Sequence, residues 1–275
     1  MKRPGIFFFT LGSLAVAVFM IAVGIFIFSL TKKPREVFKG VVLKHFTFPS
    51  PVSLDEWEEK VLTSKSTDYT VTEHAGKKSV KGASEDSASA LYFKRRLSYW
   101  KEPFLSWDWK VAKFPSRKRG EALDRKDEFD FAAQVYVIFH ARFFLNSKAI
   151  QYVWTEELSV GSVAASPYTK NVRLLVLESG ESEVWKHEKR DIREDFHKLF
   201  GKKLEKDIVA VSFMTDSDST DSSAEAYYTD IKIGYLEKSP QERPSAETER
   251  KKVPGEAEIK KKVSVETGVE EESLI

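Results

Sequence analysis

The chain has 275 residues, no cysteine, and a formal net charge of +2 that comes from 44 basic and 42 acidic residues. The absence of cysteine excludes disulfides, thiolate metal ligands and thiol catalysis. The nearly balanced charge gives no general attraction to nucleic acid, so no nucleic-acid partner is expected.

An uncharged run at residues 6–30 predicts one membrane-spanning helix. As a helix it measures about 37 Å at about 1.5 Å per residue, enough to cross a hydrocarbon core of about 30 Å. The run ends before Lys32 and Lys33 without a small-residue cleavage site, which favours an uncleaved anchor over a cleaved signal peptide. Residues 1–35 are therefore predicted to be a single-pass anchor in the cell membrane. Counted alone, the basic residues after the run put the rest of the chain in the cytoplasm, although large domains translocate despite such charge.

Residues 36–237 carry many short runs in which apolar residues recur at every second position, as is typical of β-strands. In the run 104–112, for example, Leu105, Trp107 and Trp109 share one face. Many such runs predict one all-β domain, an antiparallel β-sandwich that is jelly-roll-like. The predicted strands are 41–48, 69–73, 79–83, 87–94, 104–112, 131–141, 150–155, 172–178, 185–190, 208–214 and 224–235.

One short helix is predicted within this domain. Asp191 can cap its first turn, and Glu194 follows three positions later. Gly201 then ends the helix.

The end of the chain, residues 238–275, has no aromatic residue and is dense in glutamate and lysine. Such a segment cannot bury enough apolar surface to offset the entropy lost on ordering. It is therefore predicted to be a disordered charged tail.

Several short phrases between about Phe46 and Ile233 occur together in an order that resembles one bacterial family. They lie at 87–91, 105–110, 130–137, 152–154, 161–162, 167–168, 194–195, 200–201, 214–220 and 226–231. The family is a domain of unknown function numbered 3047. The resemblance implies one sandwich domain, usually exported, with no established activity. It is also the main reason to expect the domain outside the cytoplasm, on the periplasmic side.

The chain departs from the pattern of that family at two positions. Where the family tends to carry paired acids before the central strand, only Asp130 matches here. Gln134 stands where the family tends to have an arginine. The similarity of the fold to carbohydrate-binding jelly rolls is an analogy.

The connection 215–223 joins two strand-like runs, which we predict to form a core hairpin. Its acids Asp216, Asp218 and Asp221 can supply several of the about six to eight oxygen ligands that Ca²⁺ takes. The alternative is a turn whose polar side chains satisfy local backbone groups. The five histidines of the chain show no spacing typical of a zinc site.

Glu225 follows this connection and, in a regular strand, shares a face with Tyr227 and Ile231. A carboxyl group among apolar neighbours has a raised pKa and can act as a general acid. Paired with Asp216, Asp218 or Asp130, Glu225 would meet the need of glycoside cleavage for two carboxylates. The alternative is a glutamate near solvent at the end of a strand.

Aromatic and polar side chains on the predicted central strand favour a ligand-binding groove. Tyr136, Gln134 and His140 share one face of mixed polarity. Trp154 and Tyr228 are further candidates for a surface on which a sugar ring stacks, although aromatic residues at this spacing often belong to the core.

These patterns predict a single-pass membrane protein that displays one β-sandwich outside the cytoplasm. Its expected function is non-catalytic binding of a saccharide or another envelope component, with the acidic connection at the rim of the sheet. The alternative is a carbohydrate-active enzyme that uses Glu225 and Asp216. A third interpretation is a scaffold whose tail recruits a partner.

Overall fold

The computed structural model describes residues 40–142, 146–180 and 183–237. The predicted anchor and the predicted tail both lie outside these ranges. Within them, no helix is both long enough and apolar enough to cross a membrane.

One layer of the molecule is a six-stranded antiparallel sheet. It consists of β1 (Gly40–Phe46), β3 (Asp68–His74), β4 (Lys77–Glu85), β6 (Pro103–Lys113), β11 (Lys186–Asp191) and β13 (Ser223–Leu236). The strand order is β11-β6-β13-β4-β3, and β1 pairs with the second half of β13. The long strand β13 therefore lies at the centre of this layer.

The other layer is a seven-stranded sheet. It consists of β2 (Glu58–Val61), β5 (Ala88–Leu97), β7 (Ala133–Phe139), β8 (Ala149–Thr155), β9 (Val163–Ala165), β10 (Val172–Ser179) and β12 (Ile208–Asp216). The strand order is β2-β5-β12-β7-β8-β10-β9. The strand predicted to be central, β7, does lie in the middle of the layer.

The prediction of a wholly antiparallel sandwich is wrong at one pair of strands. β10 runs parallel to β8, whereas β9 is antiparallel to β10. After β8 the chain runs back as the edge strand β9. It then reverses again as β10, which lies between β8 and β9 in the sheet. Two strands that are separated by such a return connection have to run in the same direction.

The interior lies between the two sheets and is filled mainly by aromatic side chains. Trp107 and Trp109 of β6 are fully buried, as their alternation predicts. Their rings contact Tyr152 and Trp154 of β8, with centroid distances of 5.4 and 5.7 Å. Because each such side chain buries roughly 150–250 Å², these rings provide much of the apolar burial that holds the two sheets together.

The predicted helix is present as α1 (Ile192–Phe200). The Asp191 carboxylate accepts hydrogen bonds from the backbone N–H groups of Arg193 and Glu194, at 2.8 and 3.2 Å. Gly201 ends the helix in a left-handed conformation with φ of 65°. Phe196 of α1 packs on Phe139 of β7 with a centroid distance of 4.8 Å, which docks the helix on the sandwich.

The predicted hairpin of β12 and β13 is wrong, because the two strands belong to different sheets. β12 pairs with β5 and β7, whereas β13 pairs with β1, β4 and β6. The connection between them crosses from one layer to the other, as does the connection from β4 to β5. The two crossings are joined by a hydrogen bond of 3.1 Å from the backbone N–H of Ser217 to the carbonyl of Ser87.

A β-bulge in β13 corrects a second expectation about this strand. Asp230 has φ of 51°, and the pairing with β6 shifts between Thr229 and Lys232. An extra residue in a strand reverses which side chains face inward. Tyr227 therefore faces out of the sandwich while Ile231 faces the interior, although a regular strand would have put both on one face.

Candidate functional site

A groove of about 530 Å³ lies on the outer face of the seven-stranded sheet. Its floor comes from alternate positions of β7 and β12, namely Tyr136, Ile138, Ser212 and Met214. These side chains point away from the interior because their neighbours Val135, Val137, Val211 and Phe213 fill it. The groove walls include Leu62, Lys148 and Thr169. An open groove with a mainly apolar floor and a few polar groups is the usual form of a small-molecule site.

Tyr136 is held in a fixed orientation by a network of hydrogen bonds beside the floor. Its hydroxyl donates to the side-chain carbonyl of Gln134 at 2.8 Å. Gln151 donates to the same oxygen at 2.7 Å, and the Gln134 amide donates to Asp216 at 2.7 Å. Burial, and then the negative charge of Asp216, raise the pKa of Tyr136 well above its ordinary value. The hydroxyl therefore remains a donor, and the ring is fixed before any ligand arrives.

The hydroxyl group of Ser212 is the polar group of the floor that is left unsatisfied. Ser212 is 5% exposed, and its Oγ has no hydrogen-bond partner within the described part of the chain. A buried hydroxyl without a partner costs free energy, so each such case needs an explanation. The oxygen is covered by neighbouring atoms, so a ligand hydroxyl in the groove could supply the missing partner once the Ser212 side chain turns toward the groove.

Three carboxylates lie together near the end of β12, where the connection to β13 begins. Oxygen atoms of Asp130, Asp216 and Asp218 are within 4.8 Å of one another. Asp130 accepts hydrogen bonds from the backbone N–H groups of Ser219 and Thr220, at 3.1 and 2.7 Å. Asp216 accepts one from the backbone N–H of residue 131 at 2.7 Å.

Burial raises the pKa of both Asp216 and Asp218, and the neighbouring charge of Asp130 raises them further. Carboxylates crowded in this way either share protons or bind a hard cation. Of the predicted calcium ligands, Asp216 and Asp218 are brought together, but Asp221 is exposed in a left-handed turn with φ of 48°. Asp130 stands in its place. Calcium binding itself stays a prediction.

The structure corrects the prediction that Trp154 and Tyr228 face a ligand. Both side chains are fully buried between the sheets. The Trp154 indole N–H donates to the carbonyl of Gly180 at 2.8 Å, and the Tyr228 hydroxyl donates to that of Met214 at 2.5 Å. Each residue occupies an inward position of its strand, so neither can reach a ligand on an outer face.

Two other predicted ligand-binding residues lie near the groove without forming its floor. Gln134 is 1% exposed and acts as the support of Tyr136. His140 follows the end of β7, is exposed, and is absent from the groove lining within the described residues.

The structure does not bring together Glu225 and Asp216, the pair named in the alternative catalytic interpretation. Glu225 lies on the outer face of the six-stranded sheet, and Asp216 lies on the outer face of the other sheet. Although partial burial raises the pKa of Glu225, an ion pair with Lys81 at 2.7 Å and a hydrogen bond from Tyr227 at 2.6 Å lower it below its ordinary value overall. Glu225 is therefore a paired anion and does not have the raised pKa of a general acid.

The outer face of the six-stranded sheet carries a polar cluster that the sequence did not predict. Lys110 is 1% exposed, and its ammonium contacts the His74 ring nitrogen at 2.5 Å and the carboxylate of Glu183. The His74 ring stacks on Tyr227 with a centroid distance of 4.4 Å. The one signal in the sequence is the polar alternation of β6, in which Ser106, Asp108 and Lys110 share a face.

The fold and the groove define a β-sandwich with an open site on one outer face. The family described as "Protein of unknown function (DUF3047)" matches residues 55–232. Because this match covers more than half of the 275 residues, the chain belongs to that family. No curated protein matches the chain.

Solved structures similar to this chain include two carbohydrate-binding modules and one enzyme domain. The family 11 module of the cellulase Lic26A-Cel5E from Clostridium thermocellum has 10% identity, covers 74% of this chain and 99% of its own, and has a TM-score of 0.37. The module CBM28, described as specific for non-crystalline cellulose, has 9% identity, covers 72% of this chain and 97% of its own, and has a TM-score of 0.37. The xyloglucanase domain of NopAA from Sinorhizobium fredii has 13% identity, covers 65% of this chain and 92% of its own, and has a TM-score of 0.38. Likeness at this level does not assign a function to the chain.

Proposed function

We propose that this protein is a non-catalytic binding module that holds a saccharide, or a similarly hydroxyl-rich envelope component, in the groove of the seven-stranded sheet. The observation that carries the proposal is the unsatisfied hydroxyl of Ser212 in the floor of that groove. Once the Ser212 side chain turns toward the groove, a ligand with many hydroxyl groups can pair with it, and a ligand without any leaves it unsatisfied.

The ring of Tyr136 supports the same class of ligand. A sugar ring presents an apolar face of C–H groups together with hydroxyl groups at its edge. Tyr136 offers a flat apolar surface whose orientation is set by Gln134 before binding. Fixing the ring in advance lowers the entropy that binding would otherwise lose.

The proposal includes a position at the cell membrane. Residues 6–30 would anchor the chain, and the sandwich would lie outside the cytoplasm, where envelope saccharides are found. A reporter enzyme that is active only in the cytoplasm, fused after residue 275, is expected to be inactive. An active reporter would contradict this location.

Two serine variants test the binding proposal. The wild-type chain is first applied to a glycan array, and the oligosaccharide that binds most tightly is titrated by calorimetry. We expect Ser212→Ala to weaken its binding about three- to tenfold, because one net hydrogen bond is worth about 0.5–1.5 kcal/mol. The free energy of unfolding should remain unchanged or rise, because the variant removes a buried hydroxyl that has no partner.

Ser79→Ala is the matched control. Ser79 is also fully buried and its Oγ also has no partner within the described residues, but it lies in the six-stranded sheet. Its replacement should leave the affinity unchanged. Equal effects of the two substitutions on affinity, or no saccharide bound by the wild-type chain, would contradict the proposal.

A further inference from the structure

Four adjacent strands bring two histidines and two aspartates together on the outer face of the six-stranded sheet. His187 of β11 is directly opposite Asp108 of β6. Asp230 lies in the bulge of β13, the next strand, and His45 of β1 pairs opposite Lys232 on its far side. Atoms of Asp108, His187 and Asp230 that can bind a metal are all within 4.8 Å of one another.

Each carboxylate of this group uses its two oxygens differently. Oδ1 of Asp108 is 2.6 Å from Nδ1 of His187, and Oδ1 of Asp230 is 2.6 Å from Nε2 of His45. The other oxygen of each carboxylate accepts a hydrogen bond from a lysine, Lys77 for Asp108 and Lys232 for Asp230. The lysines therefore hold the carboxylates in place and leave the Oδ1 atoms beside the imidazole nitrogens. Outer partners of this kind orient the ligands of metal sites.

The bulge at Asp230 accounts for the position of the second carboxylate. Asp230 has φ of 51°, a conformation that few residues other than glycine, asparagine and aspartate adopt readily. The bulge places its side chain beside Asp108, whereas the next residue, Ile231, is buried in the interior. Bulges often re-aim side chains next to functional sites.

The geometry points to a site for Zn²⁺ formed by His187, Asp108, Asp230 and His45. Imidazole nitrogen together with carboxylate oxygen is a ligand set that Zn²⁺ accepts, with bonds of about 2.0–2.2 Å in a tetrahedral arrangement. Ligand atoms at the corners of such a tetrahedron are about 3.4 Å apart. Small rotations of Asp108, His187 and Asp230 would reach that spacing, because their ligand atoms lie within 4.8 Å of one another. His45 would join them from its position 2.6 Å from Asp230.

Titration of the full chain with ZnCl₂ tests the site, with the midpoint of thermal unfolding and calorimetric heat as readouts. We expect one equivalent of Zn²⁺ to bind and to raise the midpoint, while the same concentration of MgCl₂ does not. His187→Ala and Asp230→Asn should each weaken Zn²⁺ binding by more than about tenfold. Asparagine tolerates the left-handed conformation, so Asp230→Asn keeps the bulge. His45→Ala should weaken binding as well, because His45 supplies the fourth ligand.

His140→Ala is the control, because His140 is an exposed histidine at the end of β7 in the other sheet. It should bind Zn²⁺ as the wild-type chain does. The absence of Zn²⁺ binding by the wild-type chain would overturn the proposal. So would undiminished binding by His187→Ala and Asp230→Asn when their circular dichroism shows that both variants are folded.

Discussion

The two outer faces of the sandwich differ in whether their carboxylates form ion pairs with basic side chains. On the face of the seven-stranded sheet, Asp130, Asp216 and Asp218 lie together, and no lysine or arginine in the described ranges forms an ion pair with them. Burial and mutual repulsion raise the pKa of Asp216 and Asp218. This face therefore keeps carboxylates whose charges are not paired with bases within the described residues.

On the face of the six-stranded sheet, four acids contact basic side chains, namely Asp108, Glu183, Glu225 and Asp230. Lys110 lowers the pKa of Glu183. Burial raises the pKa of Asp108, but His187 and Lys77 lower it below its ordinary value overall. The acids of this face are paired with bases, whereas the other face combines crowded, unpaired acids with an open groove. That difference is why the binding proposal is assigned to the seven-stranded sheet.

The largest effect on the difference between the two faces is expected when the Tyr136 ring is removed from the groove. Tyr136→Ala should weaken binding of the oligosaccharide found on the array by about tenfold or more, because a well-packed aromatic contact at a binding site is often worth over about 1.4 kcal/mol. Trp100→Ala is the control, since Trp100 is an exposed aromatic residue outside the groove lining. Calorimetry of both variants measures the effect. Unchanged affinity of Tyr136→Ala would move the site away from this face.

A smaller effect is expected when one crowded carboxylate loses its charge. The folded-state pKa of Asp216 is raised, so its stabilising contribution is present below its ordinary pKa of 3.8 and is lost as the pH rises through the folded value. Asp216→Asn keeps an oxygen that accepts from the backbone and removes that loss. We expect it to increase the free energy of unfolding by about 1–2 kcal/mol at pH 8 and to change little at pH 3.

Urea unfolding at the two pH values measures this difference. Asp221→Asn is the control, because Asp221 is exposed in the same connection and asparagine also tolerates its left-handed backbone. A destabilised Asp216→Asn at pH 8 would mean that the negative charge is needed there, as it would be for a bound cation.

The smallest effect should have the opposite sign and belongs to the other face. The pKa of Glu225 is lowered, so its contribution is present above its ordinary value of 4.5 and is lost as the pH falls through the folded value. Glu225→Gln removes the ion pair with Lys81 and should lower the free energy of unfolding at pH 7 by less than about 1 kcal/mol. The difference from wild type should disappear near pH 3 in the same urea experiment. A gain in stability at pH 7 would show that the two faces do not differ as described.

The strands of the interior could be predicted from alternation alone. Trp107 and Trp109 recur at every second position of β6, which predicts a shared face, and both are fully buried. Two strands escaped prediction. β2 is exposed at all four of its positions, and β9 has only three residues, so neither shows an apolar alternation. Strands of this kind are held by pairing at the sheet edge rather than by burial.

It was harder to predict on which face of the sheet each side chain lies, because side chains outside the interior can also be buried. On β8 the inward Trp154 and the outward Val153 are both fully buried. Val153 packs under Leu123 and Phe131 of the segment that precedes β7 and covers part of the outer face. A strand covered on both sides loses its alternation, so its sequence does not reveal which side faces the solvent.

Residues that meet across several strands were the least predictable. His45 and Asp230 are 185 positions apart in the chain, yet their side chains are 2.6 Å apart. Spacing along the chain gave no sign of the proposed zinc site, because the four residues proposed as ligands come from four strands whose order in the sheet differs from their order in the sequence. For the same reason, Asp130 was noted before the central strand through family resemblance and not as a member of the carboxylate cluster with Asp216 and Asp218.

A crystal structure of the protein with the oligosaccharide that binds most tightly on the array tests the central claim directly. We predict a sugar ring against Tyr136 and a sugar hydroxyl within hydrogen-bond distance of Ser212 Oγ, on the outer face of the seven-stranded sheet. A saccharide bound against the six-stranded sheet, with this groove free of it, would contradict the account.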